Sequence, residues 1–310
     1  MKVLYGDPVR WSLPSKGSAV TIGVYDGVHR GHQRVIEDLE TMGVSLGARR
    51  RVVLTFDRHP MAVLEPAKAP KMLTTIERRL DILERLGVDV AGVLPFDQIR
   101  KMCPDEFIGQ VLVDALHARL VVVGSNFRFG VDRSGGVDTL RSAGSRLGFE
   151  VDVVDVLRED GETLSSSAIR GMLTRGDVEA AADALGRPFE LQGTVADGDG
   201  RGRDLGYPTA NLDIPEELLI PADGVYAVWA TVRKRTHPAV ANIGVRPTFG
   251  GTGRVVEAHL LDVAPTLYGE SMTLQFVGRV RDEQRFAGAD ELVTQIGLDV
   301  AKARAMLEES

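Results

Sequence analysis

From Ala19 to about Phe149, short apolar runs alternate with longer stretches whose apolar positions recur every three or four residues. The short runs, Ala19–Gly23, Arg51–Phe56, Val90–Leu94, Leu120–Val123 and Val151–Val156, predict strands, and the longer ones, His32–Met42, Thr75–Leu86 and Pro104–Leu116, predict helices. Pro104 suits a first helical turn, and Asp105 and Glu106 suit its positive end. Strands that are apolar throughout must be covered on both faces, so the alternation implies an α/β fold with a doubly wound parallel sheet. In such sheets ligands bind beyond the carboxyl ends of the strands. Ser165–Ser167 then precede an apolar helix pattern with Arg170 three residues in, and Asp177 caps an alanine-rich helix ending at Gly186.

After Gly186-Arg187-Pro188-Phe189 the pattern changes, which predicts two domains, 1–186 and 187–310. Val225–Val232 and Ala239–Ile243 flank a basic turn, Arg233–His237, and read as a hairpin. Val255–Leu261 and Met272–Val280 alternate as further strands, which together suggest a small antiparallel β-barrel. Leu292, Ile296, Val300, Ala303 and Leu307 recur at helical spacing and form the expected stripe of a closing C-terminal helix.

A length of 310 residues supports the two-domain reading, and 44% hydrophobic with 26% charged residues places the chain among globular proteins. The net charge of −7 argues against a nucleic-acid partner, although a small anionic ligand needs only a few local cations. The single cysteine, Cys103, makes no intramolecular disulfide and reads as structural. With no long apolar stretch and no signal-like start, the expectation is a cytoplasmic protein without a membrane partner. A homo-oligomer stays open.

Candidate chemistry concentrates first in Gly23-Val24-Tyr25-Asp26-Gly27-Val28-His29-Arg30-Gly31-His32, between a predicted strand and a predicted helix. Such a turn brings backbone N–H groups and a helix dipole to one point, where a phosphate can sit. Gly31 leaves room for a ligand's close approach. His29 and His32 fit three roles: donors to nucleotide phosphates, structural residues, or metal ligands with His59 as a third. Ser165, Ser166, Ser167 and Arg170 offer hydroxyls, free N–H groups and a guanidinium to an anion, or else form an ordinary capped helix. Gly198–Asn211 is a glycine-rich loop followed by Pro-Thr-Ala-Asn. It either wraps a phosphate chain, with Thr209 and Asn211 offering oxygens to magnesium, or is a hairpin loop without a ligand. Glu257, in an alternating strand pattern, reads on its own as a solvated residue. His117 and His237 read as surface residues, and His259 shares a strand face with Glu257.

Gly23–His32 resembles the His-x-Gly-His signature of bacterial FAD synthetases, with Tyr25 where that family usually has phenylalanine. The resemblance continues through Thr55-Phe56-Asp57-Arg58-His59-Pro60, with Arg58 in place of a commoner proline, and through Val123–Gly130. It extends to Ser165–Arg170, where Ser167 replaces a threonine. It implies that His29 and His32 stabilise phosphates during AMP transfer. Gly23, Asp26, Gly31, Ser165, Ser166, Ser167 and Arg170 would then form the nucleotide site, and Asn126, Phe127 and His59 would meet a flavin. Gly198–Asn211 resembles the hallmark of riboflavin kinases, as do Gly224–Ala227, Asn242–Gly250, Val256–His259 and Leu267–Glu270. This second resemblance implies ATP phosphates at Gly200, Gly202 and Arg203, Mg²⁺ at Thr209 and Asn211, and Glu257 as general base on riboflavin. Together they imply a bifunctional enzyme with riboflavin, FMN, FAD and ATP as substrates or products.

Overall fold

A computed structural model describes residues 1–154, 158–159, 162–197, 206–248, 251–263 and 266–309, with the backbone alone at 158–159, 162–163, 246–248 and 251–252. The chain forms two compact units, Met1–Ser166 and Ser167–Ser310.

In the first unit, strands β1 (Lys2–Leu4), β2 (Ser18–Ile22), β3 (Arg51–Phe56), β4 (Val90–Leu94), β5 (Ala118–Gly124) and β6 (Glu150–Val154) form a sheet in the order β1-β4-β3-β2-β5-β6. Every adjacent pair is parallel. Helices α1 (Arg30–Ser45), α2 (Pro60–Leu64), α3 (Ile76–Arg85), α4 (Phe96–Ile99), α5 (Pro104–Glu106) and α6 (Val137–Leu147) connect them. The expected Pro104–Leu116 helix is α5 running on into a π-helical stretch, Phe107–Ala115. A short hairpin, β7 (Arg158–Glu159) with β8 (Glu162–Thr163), follows the sheet.

The all-apolar strands divide their side chains between two faces. Val20, Ile22, Val52, Leu54, Val121 and Val123 pack with Trp11, Phe107, Ile108 and Leu140 on one side. On the other, Ala19, Leu120 and Val122 meet Leu39 of α1, while Val53 meets Ile36 of α1 and Ile82 and Leu83 of α3. Each fully buried aliphatic side chain stabilises the unit by about 1.5–3 kcal/mol, so strands covered on both faces anchor the sheet. His117 departs from the expected surface role: it is half-buried, and its Nε2 lies 3.0 Å from the Leu13 carbonyl.

Helix α7 (Ser166–Arg175) begins at the unit boundary. The second unit contains α8 (Val178–Leu185), capped by Asp177, whose Oδ1 accepts from the Ala180 amide at 3.1 Å, and ended by left-handed Gly186. Strands β9 (Phe189–Ala196), β10 (Ala210–Asp213), β11 (Gly224–Val232), β12 (Arg235–Thr248), β13 (Gly251–Leu260) and β14 (Ser271–Arg281) close a barrel in the order β10-β13-β12-β11-β14-β9. All its pairs are antiparallel, and closure removes exposed edges. The expected hairpin is β11–β12: Val232 pairs with Arg235, and Arg233 and Lys234 take the positive φ that a tight two-residue turn needs. Helix α9 (Ala289–Glu308) packs on β11, β12 and β14, and its stripe is deepest at the C-terminal end, where Ala303 and Leu307 are buried.

Candidate functional site

Two loops meet the ligand rule for open α/β sheets. From β2 the chain adds β3 and β4 on one side and then β5 on the other, so the strand order reverses between β2 and β5. The loops leaving the carboxyl ends of those two strands are Gly23–His29 and Ser125–Gly130, both singled out by the sequence.

The glycine turn is built around a ring stack. Tyr25 folds back over Gly23, where a Cβ would lie 3.1 Å from its ring, so a side chain there would displace the tyrosine. The Tyr25 hydroxyl pairs with Thr21 Oγ1 at 2.7 Å, and burial pushes its pKa up. Its ring lies 4.7 Å from that of His32, which stacks on His29 at 3.7 Å. His29 occupies the N-cap position of α1, and Gly31 and His32 lie in that helix's first turn. His32 is half-buried as a residue, and its Nδ1 is buried with no hydrogen-bond partner among the described residues. Burial, and after it His29 and the Arg79 guanidinium, hold His32 well below its usual pKa of 6.5. The imidazole is therefore neutral at pH 7 and able to donate one N–H.

Asp26 is 1% exposed, and its carboxylate accepts from the Leu73 and Thr74 amides at 3.0 to 3.1 Å. Ser166 Oγ donates to the Asp26 carbonyl at 2.9 Å, which brings the start of the serine segment to the histidine turn. Ser165 is half-buried beside it, and Ser167 and Arg170 follow on α7. Tyr25 and Val28 stand at φ 53° and 41°, a left-handed conformation that costs a β-branched residue about 1–3 kcal/mol.

After β5, Asn126 is exposed and Phe127 is half-buried, stacked on Phe129 at 5.4 Å. A cavity of about 470 Å³ opens beside them, lined by Ser125, Arg128, Gly136, Thr139 and Arg141 among others. His59 caps α2 through Nδ1, which accepts from the Met61 amide at 3.1 Å. Among the described residues no group of three or more His, Cys, Asp or Glu side chains is placed to hold a metal. Arg58 forms ion pairs with Asp57 at 3.4 Å and Asp97 at 3.7 Å.

The second site lies on the barrel. Asn211 of β10 pairs in register with Glu257 of β13, which pairs in turn with Asn242 of β12. Directly paired residues share a sheet face, so an amide, a carboxylate and a second amide form one row. Asn242 joined no expected ligand set, because only strand register brings it beside Glu257. Half-buried Glu257 alternates with buried Val256 and Ala258. His259, two residues on, has Nδ1 2.8 Å from the Pro208 carbonyl and an edge contact with Tyr207 at 5.4 Å, which ties down the start of Pro-Thr-Ala-Asn. Exposed Thr209 borders a cavity of about 330 Å³ with Val195, Ala258, Leu260, Leu267 and Tyr268 in its wall. Gly200, Gly202 and Arg203 lie outside the described residues. The hydroxyl of Thr209, the amide oxygen of Asn211 and the nearby carboxylate are the hard oxygen donors that Mg²⁺ takes alongside phosphate, so this donor set fits that ion.

A parallel-sheet unit with a histidine turn, followed by a barrel with an oxygen-donor row, defines a two-site phosphate-transfer architecture. The family model for FAD synthetase matches residues 13–168, and that for riboflavin kinase matches residues 185–307. A Pseudomonas fluorescens bifunctional riboflavin kinase/FMN adenylyltransferase is 40% identical over 297 residues, covering 95% of this chain and 94% of that protein. An Escherichia coli K12 protein of the same description is 37% identical over 98% of this chain and 97% of its own length. A solved Streptococcus pneumoniae structure described as a macrolide-efflux protein superposes with a TM-score of 0.87 at 29% identity, over 98% of this chain and 99% of that one. The chain belongs to the bifunctional riboflavin kinase/FMN adenylyltransferase family. Among the described residues, no helix is long and apolar enough to cross a membrane.

Proposed function

We propose that the barrel phosphorylates riboflavin to FMN with ATP, and that the sheet unit transfers AMP from a second ATP to FMN, giving FAD and pyrophosphate. The observation that carries this reading is the pair of separate chemical settings: imidazoles at a strand-order reversal, and the Asn211–Glu257 row on a closed barrel. In AMP transfer, negative charge moves toward the departing pyrophosphate. His29 and His32, with the N–H groups opening α1, are the donors assigned to that charge. Gly31 gives the phosphates room, and Gly23 and Asp26 shape the turn. Ser165, Ser166, Ser167 and Arg170 are assigned to the nucleotide's remaining phosphate oxygens, and Asn126, Phe127 and His59 to the flavin.

In the kinase step, Glu257 accepts the proton of the riboflavin 5′-hydroxyl as the new phosphorus–oxygen bond forms. Thr209 and Asn211 would hold Mg²⁺ against the ATP phosphates, with Gly200, Gly202 and Arg203 closing on them. A bound Mg²⁺ would supply charge neutralisation to the transferred phosphoryl group. We assign residues 1–186 to adenylyl transfer and 187–310 to the kinase. A cytoplasmic location agrees with the use of ATP and with the lone Cys103.

The test is chromatography of products after incubation with riboflavin, ATP and Mg²⁺. Both FMN and FAD are expected. FMN without FAD would overturn the assignment of the sheet unit, and no FMN would overturn that of the barrel.

A further inference from the structure

The glycine turn keeps an unfavourable backbone shape at Tyr25 and Val28, and such a shape persists only where the surroundings over-determine it. Several buried ties do so. Tyr25 is held by Thr21, and the Asp26 carboxylate is held by the Leu73 and Thr74 amides. The Gly27 amide donates to Thr74 Oγ1 at 3.2 Å. A further tie leads from the turn to α3: Thr55 Oγ1 donates to the Val24 carbonyl at 2.8 Å and accepts from Arg79 Nη1 at 3.0 Å. The same Nη1 reaches the Phe56 carbonyl at 3.3 Å.

Arg79 sits on α3, belongs to none of the sequence motifs, and is only 3% exposed. Its Nε is buried with no hydrogen-bond partner among the described residues. A buried guanidinium is costly, and an apolar side chain of similar length would fill the space without that cost. The charge therefore has a use beyond packing.

We propose that Arg79 is a positioning residue for adenylyl transfer, fixing through Thr55 and Val24 the backbone that presents His29 and His32. It acts in two ways. The Arg79–Thr55–Val24 relay links α3 to the strand end and the turn, so the donors keep their aim. The guanidinium also adds a fixed cation near the imidazole stack, which disfavours a second positive charge on His32. The groups that bear on His32 are His29 and Tyr25 from the turn and Arg79 from α3. Asp26, buried in the same turn, pulls on the Arg79 charge with Glu77 and opposes the effect of burial on that guanidinium.

The inference rests on assigning this turn to adenylyl transfer. The two are separable: a wild-type protein that makes no FAD from FMN and ATP sinks the assignment, whereas the variants below sink only the role of Arg79. FAD formation from supplied FMN is measured across pH for Arg79→Met, Arg79→Lys and Thr55→Val, with riboflavin phosphorylation in the same full-length protein as the control. Arg79→Met is expected to lower kcat for FAD formation about tenfold or more, the usual scale for losing a charged hydrogen bond. It should also move the acidic limb of the rate profile to higher pH, because His32 loses a repelling cation. Arg79→Lys restores the limb but only part of kcat, since an ammonium lacks the planar fork. Thr55→Val lowers kcat and leaves the limb in place.

Unchanged kcat and limb in Arg79→Met would overturn the proposal. So would a fall in kcat with an unmoved limb and no rescue by lysine, which is what a purely structural side chain predicts. If Arg79→Met does not fold, Thr55→Val decides, and wild-type kcat in that variant overturns the relay.

Discussion

Asp299 gives the strongest stability prediction because its surroundings set the magnitude. It lies on α9, 3% exposed, and its two oxygens receive Arg281 Nε at 2.9 and 3.0 Å and Arg281 Nη2 at 2.8 Å. Gln295 adds a bond to Oδ1 at 2.9 Å. An exposed ion pair would contribute at most about 1 kcal/mol. Here the side chains are 16% and 4% exposed, so Asp299→Ala strands a largely buried guanidinium, a change that costs about 3–5 kcal/mol. Arg281 Nη1 keeps its bond to the Asp282 carbonyl at 2.8 Å, which favours the lower end. For a unit of this size about 3 kcal/mol corresponds to a fall in Tm of roughly 10 °C. Scanning calorimetry with and without riboflavin reads it, because the transition that riboflavin raises is the barrel's. Arg281→Met combined with Asp299→Leu should recover most of the loss, since removing both charges also removes the desolvation cost. A fall of under about 1 kcal/mol for Asp299→Ala, or a double variant as damaged as the single one, refutes this account.

The remaining expectations concern the two sites. Glu257→Gln should stop FMN formation while sparing FAD formation from supplied FMN, and His32→Ala should do the reverse, both read by product chromatography; either change abolishing both activities in a folded protein contradicts the division. Tyr25→Phe leaves the buried Thr21 hydroxyl without its 2.7 Å partner and should cost about 1–2 kcal/mol in urea denaturation, with most of the loss recovered by adding Thr21→Val. His32 is held below its usual 6.5 in the folded state, so the unfolded chain takes up this proton first. Its contribution to stability is present above about pH 6.5 and is lost as pH falls below it, and His32→Gln should flatten that part of a denaturation-versus-pH curve.

The sheet was legible where burial on both faces left uninterrupted apolar runs, as in Arg51–Phe56 and Val90–Leu94, whose limits the structure reproduces. Strand β1 was not, because three residues carry no period and only pairing with β4 makes Lys2–Leu4 a strand. Helix α6 also escaped: it starts from Gly136 without a side-chain cap and carries a largely polar sequence. In the barrel, β9 and β10 flank the glycine-rich loop, and β10 is only four residues long, so turn signals masked both. The histidine turn was legible because its chemistry is local, with both imidazoles and the glycines inside one strand-to-helix connection. Arg79 was not, since a surface-type residue in an amphipathic helix looks the same whether it faces water or the sheet. Asn242 needed strand register to reach Glu257.

On the proposed assignment, the different residue types at the two sites follow from the nucleophiles. FMN already carries a phosphate anion, so its attack on ATP needs no proton removed; what limits the step is charge growing on the leaving pyrophosphate. Neutral N–H donors answer that need, and a neutral imidazole such as His32 sits in a buried setting at far lower cost than a cation would. Riboflavin instead attacks through a hydroxyl, which must give up a proton as the bond forms, and a carboxylate, the role proposed for Glu257, suits that step. On that proposed assignment, the pH dependence that burial, His29 and Arg79 give His32 bears on FAD formation and not on FMN formation. Substitutions around the histidine stack should move the first pH profile and leave the second where it is.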